Sequence, residues 1–223
     1  MIRTLRPVWV GAAFALAATL AGCTGYGPPL STEFHDCFFG HSQADAAQGL
    51  SDPSPLIRRW SIVSLARYGD PAATDSFIVI LRNTEFETPL VRATAAVGLR
   101  LLGDKRAIPA LEAACADPEP IVRADVARTL GDLGGPPEIP ILASVARRDP
   151  DPNVRLEAVY AMQRIGGDEA VPTFIGALGD PDESVAFAAH SALLSQTGMQ
   201  FSPDQAQWQK WWEEQHKPPA TKP

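Results

Sequence analysis

From residue 52 onward, apolar residues return at every third or fourth position in short blocks, and the blocks are separated by polar, Pro-rich gaps. Taking Ile57, Val91, Val122, Val154 and Val185 as register positions, the residues four, eight and eleven places further on form five matching sets. They read Ser61, Leu65, Tyr68; Ala95, Leu99, Leu102; Val126, Leu130, Leu133; Ala158, Met162, Ile165; and Ala189, Leu193, Gln196. At about 100° per residue these positions fall on one stripe of a helix. The register residues are 34, 31, 32 and 31 places apart, so the pattern is an internal repeat.

Twelve places after each register residue stands Gly69, Gly103, Gly134 or Gly166, and in the last unit Gly198 comes one place late. A glycine at that point predicts a left-handed helix stop. A second apolar run follows, clearest as Ile108-Pro109-Ala110-Leu111, Ile139-Pro140-Ile141-Leu142 and Val171-Pro172-Thr173-Phe174. Pro in the first turn of a helix removes no intrahelical hydrogen bond. Each unit therefore reads as a helix, a tight turn and a second helix. One such hairpin cannot cover its own apolar stripes, so the units must stack. The expected fold is all-α, an α-solenoid of about five helix-turn-helix repeats.

Asp52 and Arg58, Asp117 and Arg123, and Asp149 and Arg155 are each six residues apart, and Arg92 holds the same place in the second unit. Asp near a helix start accepts free amide hydrogens and suits the positive end of the dipole. Arg one turn inside can reach back to it or to the next unit's carboxylate. The expectation is a structural ladder that breaks where Phe86 replaces Asp and where Ala186 replaces Arg. At the ends, Ser42 to Leu50 reads as a leading helix, and Trp208, Trp211 and Trp212 read as a cap over the open core, with an aromatic ligand platform as the alternative.

The Asp-Pro, Val-Arg, Ala and Leu-Gly pattern from Asp52 to about Gln215 resembles the HEAT family, in particular the short HEAT-like repeats first grouped with phycobilin lyases. Thr197 to Phe201 followed by Trp208 to Trp212 is similar to the last unit of bacterial HEAT-repeat lipoproteins. The resemblance implies that first helices form a convex side and second helices a concave one. Related repeats also occur in di-iron deoxyhypusine hydroxylases, which depend on His-Glu pairs. Here no His is followed by Glu.

The chain begins with Arg3 and Arg6, an uncharged apolar stretch from Val8 to Leu20, and small residues ending at Cys23. That is an export-signal pattern, too short for a permanent span. Leu20-Ala21-Gly22-Cys23 resembles the bacterial lipobox, which implies cleavage between Gly22 and Cys23 and acylation of Cys23. The expected organisation is a signal peptide at 1–22, a lipidated Cys and tether at 23–41, the repeat domain at 42–216 and a solvated tail at 217–223. Thr24 rather than Asp favours the periplasmic face of the outer membrane by family custom.

Charge and chemistry narrow the function. Acidic residues outnumber basic ones, 26 to 19, for a net charge of −7, which speaks against a nucleic-acid partner. No phosphate-binding loop, nucleophile elbow or zinc-protease motif is present, and no catalytic set, metal site or cofactor is assigned. The expected function is a non-catalytic scaffold held to a membrane by lipid at Cys23 and presenting its concave face to a protein. Candidate contacts are the second-helix column Glu112, Ala143 and Ile175, with Trp208 and Trp212 at the end. The alternative is an envelope enzyme, or a metal- or cofactor-binding protein, using His35, Cys37 and His41. Cys115 reads as a small core thiol, with a bridge to Cys37 as an open possibility.

Overall fold

The computed structural model describes residues 42–217. Residues 1–41, which hold the expected signal peptide, Cys23 and the expected tether with His35, Cys37 and His41, and residues 218–223 lie outside the described residues. Those described form α-helices and three short 3-10 turns, with no strand among them. In chain order the helices are α1 (Gln43–Gly49), α2 (Pro55–Tyr68), α3 (Ala73–Arg82), α4 (Pro89–Leu102), α5 (Ile108–Ala114), α6 (Pro120–Leu133), α7 (Ile139–Arg148), α8 (Pro152–Ile165), α9 (Val171–Ala177), α10 (Glu183–Thr197) and α11 (Gln205–Gln215). The register residues sit on α2, α4, α6, α8 and α10, the first helices; α3, α5, α7, α9 and α11 are the second helices.

First helices pack in sequence, α2 on α4, α4 on α6, α6 on α8 and α8 on α10. Each second helix packs on the first helix that follows it, α3 on α4, α5 on α6, α7 on α8 and α9 on α10. The tight hairpin is thus the second helix and the next first helix, joined across the Asp-Pro loop, one helix out of phase with the hairpin that the Gly stops suggest. Hydrogen bonds within that loop explain the phase: Asp52, Asp117, Asp149 and Asp180 each accept the amide two residues on, at 2.8 to 3.0 Å. Those aspartates fold the loop rather than cap the helix, because the residues at the N-cap are Ser54, Glu119, Asp151 and Asp182.

The apolar stripes merge into one seam that runs from Ile62, Leu65 and Phe77 through Leu99, Leu130 and Met162 to Leu193 and Trp208. Stacking is close. A methyl group on Gly131 would stand 2.6 Å from the Ala161 Cα, so α6 and α8 approach there to a distance that only glycine allows. Gly69, Gly103 and Gly198 stop their helices in the left-handed region. Gly134 does not: its φ is −79°. It is needed for space instead, since a Cβ there would meet the Leu130 carbonyl oxygen at 2.6 Å and the Glu138 carboxylate at 2.9 Å.

The ladder runs between units. Arg58, Arg92, Arg123 and Arg155 each donate two hydrogen bonds to a carboxylate of the following unit, Glu87, Asp117, Asp149 and Asp180 respectively, at 2.7 to 2.9 Å. The third nitrogen of Arg58, Arg123 and Arg155 donates to the carbonyls of its own Asp-Pro loop. Each guanidinium therefore fixes its own loop and the neighbour's at once. The expected break at Phe86 does not occur, because Glu87, one residue on, has a longer side chain and takes the rung. The ladder ends at Asp180, with Ala186 at the arginine place of the last unit.

Both ends are closed. Helix α1, capped by the Ser42 hydroxyl, packs on α2. At the other end Trp208 is fully buried on α11, its indole N–H donating to the Ser202 carbonyl at 2.9 Å, with Phe201 and Trp211 meeting it edge to face.

Two outcomes follow from the ladder. The Arg92 and Asp117 side chains are 2% and 1% exposed, and removing one partner of a buried pair costs about 3–5 kcal/mol. Arg92→Ala is expected to lower the unfolding free energy from urea titration by that much, and a change below about 1 kcal/mol would contradict the rung's importance. The hydrogen bonds from Arg155 hold the Asp180 carboxyl below the usual carboxylate range. A lowered folded-state pKa gives stability that is present above the unfolded value near ~3.9 and is lost as pH falls through the folded one. Urea midpoints should therefore fall on acidification below about pH 4, and less so in Arg155→Met.

Candidate docking face on the first helices

A first helix meets core on one side and its neighbours at its flanks, which leaves one outward strip. Counted from the residue just before the register position, the places seven and eleven further on return to within about 20° of it, while the core stripe lies roughly opposite. In a solenoid that strip normally carries polar residues. Here it carries Leu56 on α2, Leu90 and Leu101 on α4, Ile121 on α6 and Tyr160 on α8, all exposed, with Phe187 on α10 a little further round. Seven of the ten large apolar residues exposed in the described chain lie on first helices, so this layer, and not the second, offers the apolar surface.

Leu56, Leu90 and Ile121 all occupy the second position of their helices, after a Pro at the first. They are 51%, 49% and 45% exposed. Phe86, turned outward in the loop before α4 because Glu87 has taken the ladder position, is 78% exposed. The corresponding places on α8 and α10 are the polar Asn153 and Ser184. The row is apolar over three units and polar beyond them. Exposed Glu85 and Glu119 border it, and Glu119 also adds to the field that raises the Arg92 pKa.

Further along the same face the charges neutralise one another. Asp132 pairs with Arg100 at 3.4 Å and with Arg164 at 2.8 Å, and so joins α4, α6 and α8. Arg128 holds both Glu157 oxygens and Asp125. Burial pushes the Asp125 carboxyl up from its ordinary range, with Arg128 opposing. Pairs this exposed contribute little stability singly; their effect here is to leave no large unbalanced charge at the centre of the face.

The second-helix column lies elsewhere. Ile175 is 1% exposed, within the core seam, because α11 and α7 flank α9; it cannot meet a partner, and this corrects the sequence expectation. Ala143 is buried too, at the floor of a groove of about 600 Å³ between α7 and α9 lined by Pro136, Pro140, Arg147, Pro172 and Thr173. Glu112 is half-buried on α5. Trp208 is inside the cap, and Trp212 is half-buried with the His216 ring stacked on it at 3.6 Å. An open aromatic platform is absent from the described residues.

Reactive groups are dispersed. Among the described residues no three of His, Cys, Asp and Glu form a cluster able to hold a metal ion. His190 bonds the Phe201 carbonyl at 2.9 Å and so ties α10 to the cap. Burial pushes the Cys115 thiol up to about 12, which makes it a poor nucleophile. No described helix is long and apolar enough to cross a membrane.

No curated protein sequence matches the chain. Among solved structures, the CpcE–CpcF complex of phycocyanin lyase from Nostoc sp. superposes with a TM-score of 0.60 at 22% identity, over 86% of this chain and 72% of that one. Human deoxyhypusine hydroxylase in complex with glycerol gives 0.41 at 20% identity, over 85% and 75%. At 22% identity the first likeness shows the fold alone, but that is a fold a lyase complex carries, so the expectation that the chain is not an enzyme does not stand. The family model for HEAT repeats matches residues 84–151 and 139–208, together more than half of the 223 residues, and the chain belongs to the HEAT-repeat proteins.

Proposed function

We propose that the chain is a lipid-anchored docking protein that binds a protein partner on the outward face of its first helices. One observation carries the docking reading: Leu56, Leu90 and Ile121 recur with the solenoid's own period on a side the core does not use, and Leu101 and Tyr160 are exposed on the same outward strip of α4 and α8. Apolar side chains exposed together mark an interaction site, and the ladder at the helix starts fixes how the units that carry Leu56, Leu90 and Ile121 sit on one another. The structural likeness to a lyase complex of two named subunits agrees with a fold that assembles with other proteins. The anchor reading rests on Leu20-Ala21-Gly22-Cys23 after the charged and apolar leader. Several acyl chains on one cysteine would hold the protein stably at a membrane where a single chain would not.

Each half has its own test. Cys23→Ser is expected to move the protein from the membrane pellet to the soluble fraction of lysed cells; unchanged pelleting would refute the anchor. For docking, a photo-crosslinking amino acid is placed in intact cells at Leu90, Leu101 or Tyr160 on the first helices, and at Val79 or Ala113 on the second. Protein adducts are expected from the first set. Adducts from Val79 and Ala113 alone, or from no position, would contradict the assignment.

A further inference from the structure

The row at the helix starts has a spacing and a charged border that specify more than a generic surface. We propose that Leu56, Phe86, Leu90 and Ile121, with Glu85 and Glu119 beside them, take a basic amphipathic α-helix of the partner, laid across α2, α4 and α6; this rests on the docking reading above and names the partner's chemistry.

The spacing argument comes first. Packed helices lie about 8–10 Å apart, so the apolar side chains at equivalent places on α2, α4 and α6 present one row point per helix over roughly 20 Å. A partner α-helix rises about 1.5 Å per residue, so residues seven apart stand about 10 Å apart and on the same face. Three anchors at places one, eight and fifteen meet the three row points together. An extended strand covers the same step in about three residues, an odd number, and turns alternate anchors away from the surface. The row is therefore matched to a helix and mismatched to a strand. Phe86, four residues before Leu90 in the chain and 78% exposed, adds apolar surface at the start of α4.

Charge then selects the helix. Exposed Glu85 and Glu119 lie within two to five residues of Leu90 and Ile121 on the same edge, and the chain as a whole carries −7. Three of the positive side chains nearby are committed, Arg58 and Arg92 held in the ladder by Glu87 and Asp117 and Arg59 donating to the Thr94 hydroxyl, while Arg82 at the end of α3 is exposed. An acidic helix would meet like charge at the border, whereas Lys or Arg beside the apolar anchors would meet Glu85 and Glu119. Complementary charge of this kind steers encounter and discriminates between partners. A membrane of anionic lipid is disfavoured by the same carboxylates.

The test uses the full chain in its own cells, with the photo-crosslinking amino acid at Ile121 and the adducted partner peptide identified by mass spectrometry. The expected peptide has apolar residues at intervals of seven and a net positive charge. Its yield should drop at least about tenfold when Glu85→Lys and Glu119→Lys are combined, and likewise in Leu90→Asp. Circular dichroism of these variants, all at exposed positions, is expected to match the parent, with melting lowered only modestly by Glu119→Lys, which puts a positive charge at the start of α6. An adducted peptide that is acidic or lacks the seven-residue spacing, or a yield unchanged by the two lysines, overturns this proposal while leaving protein docking in place. Adducts to lipid alone at Ile121 also overturn it. Absence of protein adducts at Leu90, Leu101 and Tyr160 as well removes the docking reading itself.

Discussion

A pair of short helices has more apolar surface than it can hide, and that constraint shapes the whole chain. Residues such as Val122, Val126 and Leu130 are inaccessible only because another unit lies on each side of them. The unit is therefore stable only as a member of a stack, and the stack needs something to fix how each member sits on the next. Apolar contact is not directional. The arginine ladder is: a planar guanidinium that grips two carboxylate oxygens of the next unit and the carbonyls of its own loop admits one geometry. The seam supplies the attraction and the ladder the register.

Much of this was legible in the sequence because the period was. The spacing of Ile57, Val91, Val122, Val154 and Val185 gives the fold class, and the residue types at the ladder positions give its chemistry. What escaped depended on neighbours. Glu87 replaces the missing Asp because a longer loop precedes α4 and a glutamate reaches one carbon further; a count at fixed spacing passes over it. Gly134 serves a close approach of Glu138, which no local rule marks. Ile175 is free on a helical wheel of α9 taken alone and is covered once α11 lies beside it. The alternate hairpin phase follows from loop hydrogen bonds that connect elements across the Asp-Pro gap.

The exposed apolar row on the first helices escaped the sequence reading for a related reason. A search that starts from core positions treats the opposite side of the helix as solvent, and the sequence expectation looked to the second helices instead. Yet aligning the repeats one place before the register residue lines up Leu56, Leu90 and Ile121 and then Asn153 and Ser184, a column whose change from apolar to polar was visible without coordinates. Structure added that the column is exposed and that its carboxylate border is not absorbed into the ladder. The same first helices thus bear the seam on one side, the ladder at their starts and the exposed apolar row outside, so in the reading we propose one layer sets both rigidity and recognition.

The claim that the ladder, and not apolar contact alone, fixes adjacent units is tested most directly by a double-mutant cycle on Arg123 and Asp149, using Arg123→Met and Asp149→Asn in the mature chain and urea unfolding as the readout. A coupling energy of about 1–3 kcal/mol is expected, in the range for residues sharing one hydrogen-bonded pair. Additive effects, with coupling within about 0.3 kcal/mol of zero, would contradict the account.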